Sequence, residues 1–93
     1  MIIGVLTWQL HLDGCQSLKD KRHVLRSIKD RLRHDFNVSV AETDLQDTWQ
    51  RAELTVCVVS PDRKYAEGAL QAADRLVAAA AGARIVDSAT SYL

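Results

Sequence analysis

Along residues 2–12, apolar positions fall on every second residue. The even side carries Ile2, Gly4, Leu6, Trp8, Leu10 and Leu12, and the odd side Ile3, Val5, Thr7, Gln9 and His11. A period of two sends successive side chains to opposite faces of an extended chain, so this run predicts a long strand with one buried face and one that grows polar toward its end. Asp13-Gly14 marks a turn. The period then changes: Leu18, Leu25, Ile28, Leu32 and Phe36 recur at threes, fours and sevens, the spacing of one helix face. Ser17 is the predicted N-cap, with Asp20 standing in for the capping-box Glu, and the helix is expected to end near Asn37. "VSVAE" (38–42) reads as a second strand. "AELTVCVVS" (52–60) reads as a third, with Ala52, Leu54, Val56 and Val58 inward and Glu53, Thr55 and Cys57 outward. Ser60-Pro61-Asp62 predicts a second helix start, with Pro at its first position and a carboxylate at the positive end of the dipole. One side of that helix holds Tyr65, Ala66, Ala69, Leu70, Ala73, Leu76, Val77 and Ala80, an Ala-rich face suited to lying close on a sheet. Gly82 is the expected C′ residue, and "ARIVDS" (83–88) the fourth strand.

The predicted order is therefore β-α-β-β-α-β in one domain over residues 1–93. That order implies an α+β, ferredoxin-like fold, with a four-stranded antiparallel sheet and both helices on one face. The other face would present Ile3, Val5, Thr7, Ser39, Ala41, Thr55, Cys57 and Val59, too apolar for full exposure, so a homodimer through this helix-free face is expected.

Composition narrows the function classes more than it names one. With 47% hydrophobic and 26% charged residues among 93, the chain is an ordinary globular domain. The opening strand lacks the charged start and small-residue cleavage site of a signal peptide, and no apolar run approaches the ~18–20 residues of a membrane span. Cys15 and Cys57 have neither CxxC nor metal spacing, so free thiols and a cytoplasmic location are expected. No GxSxG, Walker loop, HExxH or Cys–His pair occurs, and Cys57 falls in mid-strand. The Gly-rich cradle and following Arg with which a ferredoxin-like fold hosts acyl-phosphate hydrolysis are also missing. No catalytic residue, cofactor or metal site is assigned, and an enzyme acting on a small phosphorylated substrate ranks behind the binding readings. His23 and His34 lie three helical turns apart, too far to chelate one ion; with His11 they add hydrogen-bond donors or pH sensitivity.

Charge supplies the main candidate site. Residues 17–36 hold seven of the twelve Lys and Arg residues against three Asp, while residues 37–53 hold Glu42, Asp44, Asp47 and Glu53 against Arg51 alone. A formally neutral chain is thus dipolar. At about 100° per residue, Lys19, Arg22, Arg26, Lys29 and Arg33 fall within an arc of about 80° beside the apolar stripe, along roughly 21 Å of helix. Asp30 is the one acid bordering them, within reach of Arg26 and Arg33. Such a stripe suits consecutive phosphates of an RNA or ribonucleoprotein; it also suits a merely solvated helix face, or docking against the acidic hairpin. Lys21 falls inside the apolar arc, with its stem expected to pack and its ammonium to escape at the helix end. Within "ETDLQDTWQRA" (42–52), Trp49 and Arg51, with Gln46 and Gln50, offer a stacking face and base-edge donors, or Trp49 serves as a core or dimer contact. Glu42, Asp44 and Asp47 are candidates to gather a hard cation or simply to be solvated. The sheet face lacks the aromatic pair of an RRM. A homo-oligomeric scaffold or protein-interaction module is the competing expectation.

Three segments in order, "SLKDKR", "FNVSVAE" and "QDTWQRA" followed by a Val-rich strand, resemble the bacterial YlxP-like family, and the resemblance covers nearly the whole chain. It implies a ferredoxin-like fold and genomic company among transcription and translation factors, with no established activity and no catalytic residues. His23 departs from the pattern, standing where such proteins often carry Arg or Lys.

Overall fold

The computed structural model describes residues 1–93 as β1 (Ile2–His11), α1 (Leu18–Asp35), β2 (Ser39–Asp44), β3 (Arg51–Ser60), α2 (Arg63–Ala78) and β4 (Arg84–Tyr92). The strands form one antiparallel sheet in the order β2-β3-β1-β4, with both helices packed on one face. This is the predicted ferredoxin-like βαββαβ arrangement.

The period-two pattern of β1 and β3 becomes the floor of the core. Leu6, Trp8, Leu10, Ala52, Leu54, Val56 and Val58 all point under the helices and are buried. From above, α1 contributes Leu25, Ile28 and Leu32, and α2 contributes Ala66, Leu70, Ala73, Leu76 and Val77. Burying each Leu or Val there is worth about 1.5–3 kcal/mol. The indole N–H of Trp8, at 0% exposure, would be costly without a partner; it donates to Asp74 Oδ1 on α2 at 2.8 Å. Gly4 lets α2 come down on the sheet: a Cβ there would stand 3.0 Å from Leu70 Cδ1, 3.1 Å from Val58 Cγ1 and 3.3 Å from Tyr92 Cε1.

Four details differ from the sequence expectation. Asp62, not Ser60, caps α2, its carboxylate accepting from the Lys64 amide at 3.0 Å, and Pro61 lies outside the helix. Ser60 instead folds its hydroxyl back onto Asp62. The helix ends at Ala78, so Gly82 (φ +84°) shapes the turn into β4 rather than serving as C′. Tyr65 stands in solvent, and β4 runs on to Tyr92.

The helix-free face is knit by its own side chains at one end. The Thr7 and Thr55 hydroxyls lie 3.0 Å apart, Thr43 and Thr55 2.8 Å apart, and Gln9 Nε2 donates to Glu53 Oε1 at 2.7 Å. Apolar residues gather at the other end, where Val59, 63% exposed, stands opposite Ile3 and diagonal to Val5.

Candidate nucleic-acid interface

The first turn of α1 fixes where its cations point. Ser17 Oγ accepts the Asp20 amide at 3.1 Å, and Asp20 Oδ2 accepts the amide of Gln16 at 3.0 Å, a capping box whose return bond lands one residue early. The buried stripe then faces the sheet, which turns Lys19, Arg22, Arg26, Lys29 and Arg33 to one outer flank. Four are exposed and Lys29 is half-buried.

The structure brings these five together. Arg22, Arg26, Lys29 and Arg33 line a depression of about 200 Å³ beside β2, which Asp30 and Glu42 also border. Lys19, Asp20, Arg22, His23 and Arg26 line a larger one, of about 550 Å³, that reaches Cys15 and Gly82. No carboxylate oxygen comes within 4.0 Å of the charged nitrogens of Lys19, Arg22, Arg26 or Lys29. Arg33 is different: Nη1 lies 3.9 Å from Asp30 Oδ1, and Nη2 donates to the Val40 carbonyl at 3.1 Å. Asp30 forms no pair with Arg26.

Trp49 and Arg51 are not part of this cluster. Arg51 stands opposite His11 in the ladder, on the helix-free face, so the sheet separates it from the stripe. Trp49, 52% exposed, sits in the connection between β2 and β3, outside both depressions and outside the core.

Lys21 overturns one expectation outright. Its ammonium does not escape to solvent; the residue is 1% exposed. Nζ donates to the carbonyls of Leu45 at 2.6 Å and Thr48 at 2.7 Å, and lies 2.8 Å from Glu42 Oε2. That contact is an ion pair without good hydrogen-bond angles, since Glu42 Oε2 has no hydrogen-bond partner. The acidic hairpin therefore does gather a cation, but an internal one. Leu45 takes a left-handed conformation (φ 62°) that favours glycine, held by its carbonyl bond to Lys21 and by its amide bond to Asp44 Oδ1 at 2.8 Å. Gln50 Nε2 fastens the same connection to the Cys15 carbonyl at 3.3 Å. Periodicity placed Lys21 among the apolar residues, which was the one available signal that its charge would need internal acceptors.

Cys15 and Cys57 are both free, and Cys15 is buried. Burial pushes the Cys15 thiol above its usual pKa, Asp20 adds to the rise and Lys21 opposes it, so the thiol stays protonated at neutral pH. No cluster of three or more His, Cys, Asp or Glu side chains is placed to hold a metal ion. No helix is long and apolar enough to cross a membrane.

Sheet order, helix placement and the capped loops define a small α+β protein of the ferredoxin-like class, with a cationic flank on its first helix. A family model described as a protein of unknown function, DUF503, matches residues 3–90, and the chain belongs to that family. The uncharacterized protein YlxP of Bacillus subtilis (strain 168) is 47% identical over 70 residues, which span 75% of this chain and 76% of that protein. Among solved structures, a de novo designed protein with ferredoxin fold is similar at TM-score 0.54 and 12% identity, over 100% of this chain and 83% of that one. A C-terminal segment of the alpha subunit of aIF2 from Pyrococcus abyssi is similar at TM-score 0.50 and 18% identity, over 100% of this chain and 49% of the other. At these identities the likeness is one of fold.

Proposed function

We propose that the protein is a non-catalytic binding module for RNA or a ribonucleoprotein, with Lys19, Arg22, Arg26 and Lys29 as its phosphate contacts. The observation that carries this reading is that four neighbouring cations on one rigid helix have no carboxylate partner. An ordinary solvated helix face interleaves acids at i,i+4 and cancels most of its own field. Here the acids bordering the stripe are engaged elsewhere: Asp30 leans on Arg33, Asp20 accepts the Gln16 amide in the α1 cap, and the acid nearest on the sheet, Glu42, is committed to Lys21. Arg33 acts as the anchor between α1 and β2 rather than as a phosphate ligand. Trp49 and Arg51 belong to this reading only if an RNA chain wraps past the connection between β2 and β3 to the helix-free face.

The test is a salt titration of binding to a single-stranded RNA oligonucleotide, read by fluorescence anisotropy. Each phosphate neutralised contributes about −0.7 to the slope of log K against log salt, so four contacts predict roughly −3. Arg22→Glu/Arg26→Glu/Lys29→Glu leaves Lys19 alone and is expected to weaken binding and bring the slope to about −0.7 or less in magnitude. Two of these side chains are exposed, the third is half-buried, and none of the three is paired with a carboxylate, so the thermal midpoint is expected to change little. Equal affinity and slope in the triple variant would remove the reading.

A further inference from the structure

Hydrogen-bond parity identifies which backbone groups face out from the two edges of the sheet. In an antiparallel ladder, residues that exchange both backbone bonds alternate with residues whose N–H and C=O point away. Ile3 and Leu93 exchange both, at 3.0 and 2.8 Å. Val5–Ser91 and Thr7–Ala89 are therefore bonded pairs, and Ser88, Thr90 and Tyr92 turn their backbone groups outward. On the far side the Leu12 amide donates to Gln50 at 2.9 Å, which puts the even residues of β3 in bonds with β1 and the odd ones in bonds with β2. Ser39 and Ala41 then face β3, and Val40 and Glu42 face out.

The two edges are finished differently. Both outward carbonyls of β2 are occupied: Val40 accepts from Arg33 Nη2 at 3.1 Å, and Glu42 from Gln46 Nε2 at 3.4 Å. The strand is also six residues long and bulged after Glu42. On β4 the Ser88 amide is taken by Asp87 Oδ1 at 2.9 Å, whereas the outward groups of Thr90 and Tyr92 have no protein partner. The irregularity in β4 comes before Asp87, so 87–93 runs in unbroken register with β1. Residues 88–92 contain no charge and no proline, the features that normally protect an edge from pairing.

We propose that β4 pairs antiparallel with β4 of a second copy of this chain, giving a continuous eight-stranded sheet. A two-fold contact of this kind uses up both bare β4 edges and leaves only the two β2 edges, which are short, bulged and have their outward carbonyls taken, so assembly stops at two. Charge permits it. Arg84 and Asp87 are the ionised side chains on β4. With the two-fold at any residue from Ser88 to Thr90, Asp87 meets Ala89, Ser91 or Leu93 of the other copy and never Asp87. There is also room, because α2 rests mainly on β1 and β3 and leaves a trough of about 380 Å³ above β4, lined by Gln71, Asp74, Ser88, Thr90 and Tyr92. This pairing is independent of the cationic stripe.

Sedimentation equilibrium tests it. The native chain is expected at twice the 10.3 kDa of one copy. Thr90→Pro removes an outward N–H and no bond to β1, and is expected to sediment at the single-chain mass with its circular dichroism unchanged. Val59→Glu, on the helix-free face, is expected to leave the dimer intact, as is the triple stripe variant. Hydrogen exchange gives a second reading that needs no variant: the Thr90 and Tyr92 amides are protected and lose protection on dilution. A monomer at every concentration, including one that accepts some other extended peptide on β4, overturns the proposal. So does a dimer that Val59→Glu dissociates and Thr90→Pro does not, or fast exchange at Thr90 in the dimer.

Discussion

An ammonium group withdrawn from water needs acceptors for its protons, and Lys21 finds them 24 to 27 residues away in the connection that follows β2. Its stem lies where a helix would place a leucine, and its charge replaces the solvent that the Leu45 and Thr48 carbonyls would otherwise require. Lys21→Met keeps the stem and deletes the charge. It is expected to cost about 3 kcal/mol in chemical denaturation, because Glu42 loses its counter-ion and two carbonyls lose their donor. Adding Glu42→Gln to that variant is expected to restore part of the loss, which a double-mutant cycle would read directly. Only half of this feature was legible in the chain. The helical period put Lys21 inside the apolar arc, but no local pattern reveals which distant carbonyls will surround a nitrogen. The same limit applies to Trp49 and Arg51, neither of which joins the stripe, because Arg51 enters a strand whose odd positions face away from α1 and Trp49 stays in the connection before it.

Strands and helices were readable in proportion to how much of each enters the core. β1 and β3 are buried along one face for ten residues each, so their alternation was plain. β4 was foreshortened because Ser88 to Ser91 are small and show no apolar alternation; at a sheet edge, with α2 resting mainly on β1 and β3, only Tyr92 beyond them packs against the core. The start of α2 was misplaced by three local signals in a row, of which the Asp62 carboxylate wins by accepting the Lys64 amide. The seating of α2 has a measurable requirement. Gly4→Ala would bring a methyl against Leu70, Val58 and Tyr92 at once, and is expected to lower stability by about 1–2 kcal/mol in a denaturant melt. Gly14, with nothing within 4 Å of an added methyl, is the matching control, expected to show no packing penalty.

For the whole molecule, a net charge of zero conceals a strongly uneven surface. The position of the cationic flank on α1 followed from angular arithmetic alone, since a capped helix of eighteen residues leaves little freedom in where its flanks point. What arithmetic could not settle was the whereabouts of the neighbouring acids, and folding commits Glu42 inward to Lys21 while leaving four cations without a carboxylate. The placing of the two indoles has a practical consequence of its own. Trp8, sealed beneath α2 and bonded to Asp74, emits toward the blue, whereas Trp49 stands half in water and emits toward the red. One fluorescence spectrum thus sums two overlapping components: unfolding shifts the blue one, and a quencher arriving from outside dims the red one first. A Trp49→Phe protein is expected to retain the unfolding shift and lose the early dimming, which turns intrinsic emission into a label-free way of telling loss of structure from occupation of the surface.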